Sequence, residues 1–375
     1  GVLMVVAEDD FVGVIGERED IADYALAAIG ARWNEVESLS SDWDLPVLLR
    51  DQATEPVVVR EEGSLEAGFE EADHILQGVY FTPYVSNAAM EPATAVASWD
   101  KESLTVWCGD RSPFGVRDHL AENFKLSVDM VRVIAPEVGG AFGTKGSFGI
   151  AHEAARLSKA VGRPVRVSLT RQEEFIWSTV RPAALIEIRS GFKSDGTIVA
   201  WEYTAYHAGE TAFRGQRGAD TPYNTPNVRI LTANSDAPLR SGSYRSLGGA
   251  LNHFAREVHI DEIAATVNMD PVKLRFLNLT HPRLRTVLAE AVSQFGWDHP
   301  REGKPVGSGV AIGYDVGSYV AECVELVVED KDVHVRRVTA AFDCGLVLNP
   351  DAVQNQVEGS IMMGIGTALW EAMEF

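Results

Sequence analysis

The sequence predicts an α+β fold with mixed sheets and helices. Short β-rich segments alternate with amphipathic helical segments from Val57 to about Leu279. A hairpin is predicted where Ala184–Ile188 and Ile198–Trp201 flank a turn at Lys193–Gly196. The chain has 375 residues, with 46% hydrophobic and 23% charged residues. These values are typical of globular proteins, and the length allows two or three domains.

The first residues predict a small α/β unit. Strand-like runs at Val2–Ala7 and Phe11–Ile15 are followed by a helical segment at Asp20–Ile29 and a further strand-like run at Arg32–Val36. The polar segment Glu37–Ala53 that comes next predicts a linker or a crossing loop.

A glycine-rich segment, Pro136–Gly149, lies between a predicted strand at Val131–Ile134 and a predicted helix at Ile150–Val161. Free N–H groups and the helix dipole favour an anion at such a position. Neither a P-loop nor a dinucleotide fingerprint fits the glycine spacing, which disfavours a nicotinamide dehydrogenase. The alternative is a turn in which glycines are needed only because the backbone adopts positive φ and packs tightly.

Beyond that helix, Gly162 and Pro164 predict its end, and the alternating run Val165–Leu169 predicts another strand. Near the C-terminus a helix is predicted at Arg283–Trp297. Two strands are then expected, at Ala321–Val328 and His334–Phe342, joined by the charged turn at residues 329–332. These elements predict the first half of a further domain.

Arg245 follows Tyr244 between glycines, just ahead of a helix predicted from about Leu251. A guanidinium at that place can bind an oxyanion through two parallel hydrogen bonds. The alternative is an ordinary ion pair with a nearby acid.

A second candidate segment begins a helix at Asn349, which is a good N-cap, followed by Pro350 at the first helical position. Glycines inside this helix lower its stability by about 1 kcal/mol each relative to alanine, so a close approach is expected there. They are Gly359, Gly364 and Gly366. Gln356, in the second turn, can donate its amide to a ligand. The alternative is a helix-packing glycine face with a solvated glutamine.

Charge and cysteine content exclude several classes of protein. The formal net charge of −21 makes a nucleic-acid partner unexpected. Three cysteines without Cys-x-x-Cys spacing do not build an iron–sulfur cluster or zinc site by themselves. No apolar run is long enough to predict a transmembrane segment. The chain starts without methionine and stops inside an apparent helix, so we expect a fragment truncated at both ends.

An ordered set of motifs spans nearly the whole chain. It comprises Gly-Gly-Ala-Phe-Gly-Thr-Lys (139–145), Tyr-Arg-Ser-Leu-Gly (244–248), Asp-Glu-Ile-Ala (261–264), Asp-Pro-Val-Lys-Leu-Arg (270–275) and Asp-Cys-Gly-Leu-Val-Leu-Asn-Pro (343–350) with Gln-Val-Glu-Gly (356–359). Met90-Glu-Pro92 and Gly162-Arg-Pro-Val-Arg166 belong to the same pattern. This set resembles the large, molybdopterin-binding subunit of the xanthine dehydrogenase and aldehyde oxidase family of molybdenum hydroxylases. Pro113–Arg117 and Gly317–Ala321 resemble the isoquinoline 1-oxidoreductase beta-subunit-like branch.

The resemblance implies a molybdenum–molybdopterin cofactor, in bacteria commonly the cytosine dinucleotide form, with the metal held by the pterin dithiolene rather than by protein ligands. The implied cofactor-binding residues are Arg111, Gly139, Gly140, Ala141, Phe142, Gly143, Arg245 and Gln356. The implied reaction is hydroxylation of an aldehyde or N-heterocyclic small molecule with water-derived oxygen. Electrons would pass to 2Fe–2S clusters on a separate small subunit.

The family's Gly-x-Gly-Glu motif, which carries the general-base glutamate, is expected beyond Phe375, so no catalytic residue is assigned and the chain alone is expected to be inactive. Three positions depart from the family pattern. Arg111 occupies a position where the family has glutamine, and Ser246 and Ala141 occupy positions where it has glycine. Arg111 and Ser246 favour the alternative of a non-catalytic binding or structural paralogue that keeps the fold.

The resemblance also implies a domain organisation. Residues 1–45 are expected to end the small α/β domain that precedes the cofactor-binding region. Residues 46–282 are expected to form the first molybdopterin-binding domain, and residues 283–375 the N-terminal part of the second.

Overall fold

The structure is a computed structural model that describes residues 1–34, 44–145, 149–209, 215–236, 238–297 and 306–375. The described residues form two compact units. The first unit takes residues from 1–39, 86–180 and 242–245, and the second takes residues from 40–85, 181–241 and 246–375. Both units mix helices with sheets, which confirms the predicted α+β class.

The strands are numbered in chain order. They are β1 (Val2–Glu8), β2 (Phe11–Gly16), β3 (Val57–Glu62), β4 (His74–Thr82), β5 (Thr94–Asp100), β6 (Ser103–Cys108), β7 (Val131–Ile134), β8 (Val165–Ser168), β9 (Ala184–Phe192), β10 (Ile198–Ala208), β11 (Asn227–Ser235), β12 (Val306–Asp315), β13 (Ser318–Glu329) and β14 (Asp332–Asp343).

The α-helices are numbered in the same way. They are α1 (Glu19–Ala27), α2 (Leu45–Asp51), α3 (Leu65–Glu71), α4 (Pro113–Phe124), α5 (Gly149–Val161), α6 (Arg171–Trp177), α7 (Gly249–Thr266), α8 (Pro271–Asn278), α9 (Pro282–Phe295) and α10 (Pro350–Leu369).

A four-stranded sheet in the order β7-β6-β5-β8 organises the first unit. β6 and β7 are parallel and are connected through α4, whereas β5 runs antiparallel to both β6 and β8. The carboxyl ends of β6, β7 and β8 therefore share one edge of the sheet with the amino end of β5. Segments that are distant in sequence meet at this edge.

The core of the first unit lies between this sheet and the helices α4 and α5. Ala151, Ala154 and Ala155 line one face of α5, and their small side chains let the helix pack closely on the sheet. Leu104 and Val106 of β6 are buried beneath it. The β1–β2 hairpin packs on the same helix through a second, smaller cluster that includes Leu157.

The second unit contains a five-stranded sheet in the order β3-β11-β10-β9-β4 and a three-stranded antiparallel sheet of β12, β13 and β14. Its core contains aromatic residues of β10, such as Trp201 and Tyr203, together with Ile260 and Ile263 of α7. α9 adds Leu288 and Phe295 to the same core.

Most elements predicted from periodicity are confirmed. β7, α5 and β8 flank the glycine-rich segment as expected, and β9 pairs with β10 as an antiparallel hairpin. The Gly196 N–H donates to the Lys193 carbonyl at 2.9 Å, which closes the predicted turn. α9 and the β13–β14 pair are also present.

The predicted linker at Glu37–Ala53 was wrong in its second half. α2 occupies Leu45–Asp51, with Pro46 in its first turn and with Leu45 and Leu49 buried one turn apart. This apolar pair stabilises a helix in an otherwise polar segment, and residues 37–43 lie outside the described part of the chain.

Two strand predictions also differ from the structure. Residues 32–34 of the predicted strand Arg32–Val36 form no strand, and residues 35 and 36 are not described. Among the described residues, β1 and β2 form a sheet of two strands. β12 was not predicted, since its glycines at 307, 309 and 313 lower its β-propensity.

Candidate functional site

The edge of the four-stranded sheet where β6 and β7 end is the candidate site. Residues 109–111 follow β6, residues 139–145 follow β7, and residues 87–91 precede β5. We call residues 139–145 the glycine loop. Because the carboxyl ends of parallel strands commonly carry binding residues, this edge is where a ligand is expected.

One carboxylate joins the two ends of the glycine loop. Glu91 Oε2 accepts the Gly139 N–H at 3.0 Å, and Glu91 Oε1 accepts Lys145 Nζ at 2.6 Å. The Lys145 side chain is only 3% exposed, whereas that of Glu91 is 46% exposed. The hydrogen bond from Lys145, and to a lesser extent that from Gly139, lowers the pKa of Glu91 below its usual value. Glu91 is therefore ionised at neutral pH, with both bonds in place.

The middle of the loop is fixed by Asn87. Its Nδ2 donates to the Phe142 carbonyl at 2.7 Å and to the Ser243 carbonyl at 3.1 Å. The Arg245 backbone N–H donates to the same Phe142 carbonyl at 2.9 Å. The loop and residues 242–245 are thus held together within the first unit.

Helix α6 positions the segment that carries Asn87 and Glu91. The buried Glu174 accepts the Ala93 N–H at 2.8 Å, and Arg171 donates to the Ala89 carbonyl. A capping box between Thr170 and Glu173 fixes the start of this helix.

The loop backbone adopts several left-handed conformations. Gly140 has a φ of +88°, Phe142 of +50° and Gly143 of +118°. A Cβ atom on Gly143 would lie 2.2 Å from the Ser243 carbonyl oxygen, so only glycine fits there. The backbone N–H groups of residues 140–143 donate to no other residue in the described part of the chain. Runs of unpaired N–H groups in such conformations can bind anionic or carbonyl oxygens.

Arg111 reaches the same site from the end of β6. Its backbone N–H donates to the Lys145 carbonyl at 3.3 Å, and its Nη2 donates to Ser243 Oγ at 3.1 Å. Among the described residues no carboxylate forms an ion pair with Arg111. The neighbouring Asp110 is buried, which raises its pKa, and its Oδ1 accepts the Ser112 N–H at 2.7 Å.

The structure brings most of the sequence-predicted site residues into the first unit. These residues are Arg111, Gly139, Gly140, Ala141, Phe142, Gly143 and Arg245. Gln356 belongs to the second unit, where it is exposed in the second turn of α10. Ser246, also in the second unit, has a φ of +71°.

Sequence reasoning missed the roles of Asn87, Glu91 and Ser243. Met90-Glu91-Pro92 and Lys145 were noted only as parts of the motif pattern. Had β5 been recognised as antiparallel to β6, the residues before it would have been expected at this edge.

Over the ranges that the structure describes, no three His, Cys, Asp or Glu residues cluster closely enough to hold a metal ion. In the same ranges, no helix has the length and apolar character needed to cross a membrane.

The fold is shared with a solved oxidoreductase. Quinoline 2-oxidoreductase from Pseudomonas putida 86 superposes with a TM-score of 0.70 at 22% identity, over 81% of this chain and 45% of that chain. This similarity confirms the predicted molybdenum hydroxylase large-subunit architecture.

Sequence comparison identifies the family. Residues 49–279 and residues 246–375 each match a family described as a molybdopterin cofactor-binding domain. One of the subunits of nicotinate dehydrogenase from Pseudomonas putida is 28% identical over the whole chain and 35% of its own length. The beta subunit of isoquinoline 1-oxidoreductase from Brevundimonas diminuta is 28% identical over 84% of this chain and 43% of its own length.

The chain belongs to the molybdopterin-binding subunit family of the xanthine dehydrogenases and aldehyde oxidoreductases. The predicted family is thus confirmed, and the predicted isoquinoline 1-oxidoreductase branch is represented among the relatives. The chain spans less than half the length of these relatives.

Proposed function

We propose that this chain is the cofactor-binding part of an oxidoreductase that hydroxylates an aldehyde or an N-heterocyclic substrate with water-derived oxygen. Nicotinate dehydrogenase and isoquinoline 1-oxidoreductase, both named for N-heterocycles, support this substrate class. The observation that carries the proposal is the glycine loop, with its unpaired N–H groups and its ends joined by Glu91.

The residues of the loop site fit a molybdopterin cofactor. Its phosphate and carbonyl oxygens need donors, and the N–H groups of residues 140–143 with the Arg111 guanidinium supply them. Its ring N–H groups need acceptors, and Asn87 Oδ1 is a buried acceptor that is not hydrogen-bonded within the described residues. When bound, the cofactor supplies a molybdenum whose Lewis acidity activates a water-derived oxygen.

Each residue then has a defined task. Backbone N–H groups of the glycine loop bind the cofactor and orient it, and Arg111 and Arg245 add positive charge. Glu91 neutralises Lys145 and fixes the spacing of the loop ends. The amide of Gln356, which belongs to the second unit, stays a sequence-based prediction as a cofactor-binding group. We assign no general base among residues 1–375 and propose only a cofactor-binding role for them.

Further parts of the proposal concern the assembly. We expect the cytosine dinucleotide form of the cofactor and a small partner subunit with 2Fe–2S clusters that accepts the electrons. We also propose a division into residues 1–45, 46–282 and 283–375. The family match over residues 49–279 agrees with the middle part, whereas the second match begins at residue 246.

The test is to purify the full-length protein from a host that makes the cofactor, and to measure molybdenum and released cytosine nucleotide per chain. We expect about one molybdenum per chain. Absence of both molybdenum and pterin from folded protein would refute the proposal. A loaded protein, assembled with its partner, that oxidises neither aldehydes nor N-heterocycles would instead favour the non-catalytic paralogue suggested by Arg111 and Ser246.

A further inference from the structure

Asn87 is a buried amide with only half of its hydrogen-bonding capacity used. The residue is 5% exposed, and its Nδ2 donates to the carbonyls of Phe142 and Ser243. Its Oδ1 is buried and accepts no hydrogen bond from the described residues.

The orientation of this amide follows from its partners. If the amide were flipped, Oδ1 would face the two carbonyl oxygens, which are acceptors only. Nδ2 must therefore face Phe142 and Ser243, and Oδ1 is left as the atom in need of a donor. A buried acceptor without a donor is costly, so such atoms in folded proteins usually have a water or a ligand as partner.

We propose that Asn87 Oδ1 accepts a hydrogen bond from an N–H group of the bound pterin, which makes Asn87 a cofactor-binding residue. This inference rests on the proposed function. The cofactor's phosphate and oxo groups are acceptors and cannot serve Oδ1, so the donor must be an N–H or amino group, which the pterin and the cytosine both carry. Its pterin ring carries ring N–H groups and an amino group that can donate.

The same amide couples the cofactor to the glycine loop. Nδ2 holds the Phe142 carbonyl in the middle of the loop while Oδ1 binds the ring. Because Oδ1 is screened from solvent in this structure, the atoms that cover it must shift when the ring binds. Asn87 thus contributes to the stabilisation that the cofactor confers, and not only to the stability of the cofactor-free fold.

The test compares thermal stability with and without cofactor. Full-length wild type and Asn87→Leu are purified from a cofactor-producing host and from a host that cannot make the cofactor, and Tm is measured for each form. Loss of one hydrogen bond to the cofactor should weaken its binding by about tenfold. Asn87→Leu should therefore show a smaller Tm increase on loading and faster cofactor release, measured by pterin fluorescence after dilution.

Ser158→Ala is the matched control. Ser158 is buried in the same unit and donates to the Arg163 carbonyl at 2.7 Å, away from the glycine loop. This change should lower the Tm of both forms equally and leave cofactor release unchanged. If Asn87→Leu behaves in the same way, Asn87 makes no contribution to cofactor binding and the inference is wrong.

A structure of the loaded wild type decides the question if Asn87→Leu does not fold. A pterin nitrogen within hydrogen-bond distance of Asn87 Oδ1 would support the inference. A water or a protein donor on Oδ1, with the pterin elsewhere, would overturn it. Wild type that contains no molybdenum would instead contradict the proposed function itself.

Discussion

Glu91 illustrates how a single side chain defines the candidate site. Its two carboxylate oxygens hold the first and last residues of the glycine loop, one through a backbone N–H and the other through a buried ammonium group. Removing the charge of Glu91 would leave the Lys145 ammonium buried without a counter-ion, which raises the free energy of the folded state.

Glu91→Gln is therefore expected to loosen the loop and to lower molybdenum content per chain several-fold. Hydrogen exchange across residues 139–145 and metal analysis measure the two effects. Glu122→Gln, a change of an exposed glutamate on α4, is the matched control and should alter neither. Equal metal content in both variants would show that the Glu91–Lys145 pair does not support binding.

The pKa of Glu91 also predicts a pH dependence. Because its pKa is lowered in the folded state, its stabilising effect is complete above the usual glutamate pKa of about 4.5 and is lost as the pH falls through the lowered value. Hydrogen exchange of the loop, corrected for the intrinsic pH effect, should accelerate below about pH 4.5 in wild type. In Glu91→Gln this acceleration should be absent. If hydrogen exchange in the wild type depends on pH as little as in the variant, the ionised Glu91 does not hold the loop ends together.

Gly143 is the loop residue with the strictest steric requirement. Gly143→Ala would place a Cβ atom 2.2 Å from the Ser243 carbonyl oxygen at a φ of +118°, so the loop must move. We expect a loss of about 2 kcal/mol or more in unfolding free energy, measured by denaturant titration. Gly149→Ala is the control, because no described atom lies within 4 Å of its Cβ position. A similar effect of both changes would mean that the loop tolerates a side chain.

At the scale of single elements, α10 begins as its sequence predicts. The Asn349 side chain accepts the Ala352 N–H at 3.0 Å, and Pro350 opens the helix. The close approach predicted at its glycines is not seen at Gly364, which has no described neighbour within 4 Å.

Asn349→Ala should reduce the stability of this helix by about 1 kcal/mol, because one N-terminal N–H loses its acceptor. Helix content by circular dichroism during denaturant titration measures the change. Asn355→Ala, on an exposed position of the same helix, should be neutral or slightly stabilising. If the two variants unfold alike, the cap contributes nothing.

A buried ionic network joins α7 to α8 and explains two of the sequence motifs. Arg275 Nε donates to Glu257 Oε2 at 3.1 Å, and its Nη1 donates to Asp261 Oδ1 at 2.6 Å. Tyr223, Arg256 and the Ile312 N–H also donate to the carboxylate of Glu257, which is almost fully buried. The Asp-Glu-Ile-Ala and Asp-Pro-Val-Lys-Leu-Arg segments therefore serve the core of the second unit.

Arg275→Met is expected to lower the unfolding free energy by about 3–5 kcal/mol, because it leaves the buried Glu257 with one partner fewer and also removes the ion pair of the half-exposed Asp261. Lys273→Met, an exposed change on α8, is the control and should stay within about 0.5 kcal/mol of wild type. Denaturant titration of both variants is the measurement. A loss below about 1 kcal/mol for Arg275→Met would show that the network is not a source of stability.

For the whole molecule, the net charge of −21 governs which partners can associate. A strongly acidic protein repels phosphate backbones, so no retention on double-stranded DNA is expected at physiological salt. Fluorescence anisotropy with a labelled duplex tests this, with a basic DNA-binding protein as positive control. Binding that weakens with rising salt would reveal a basic surface hidden by the net charge.

Much of the fold was predictable because periodicity reports which face of a segment is buried. β7, α5, α9 and the β9–β10 hairpin were located in this way. α2 was not, because its apolar residues Leu45 and Leu49 form only one pair within a polar segment. β12 was missed because its glycines weaken the strand signal.

The candidate site was predictable only in part. The glycine loop was found from composition, and the family from the order of its motifs. Asn87 and Glu91 were not found as site residues, since a single amide and a single carboxylate ahead of a strand have no distinctive spacing.

The sequence by itself determined the α+β class, most of the helices and strands, the glycine loop and the family, because these depend on local periodicity and on motif order. Tertiary structure alone decided which side chains meet at the loop. The antiparallel pairing of β5 with β6, and the parallel pairing of β6 with β7, bring residues 87–91, 109–111 and 139–145 to one edge. Strand pairing is set by packing between distant segments, and so the partners of the loop became visible only in the folded chain.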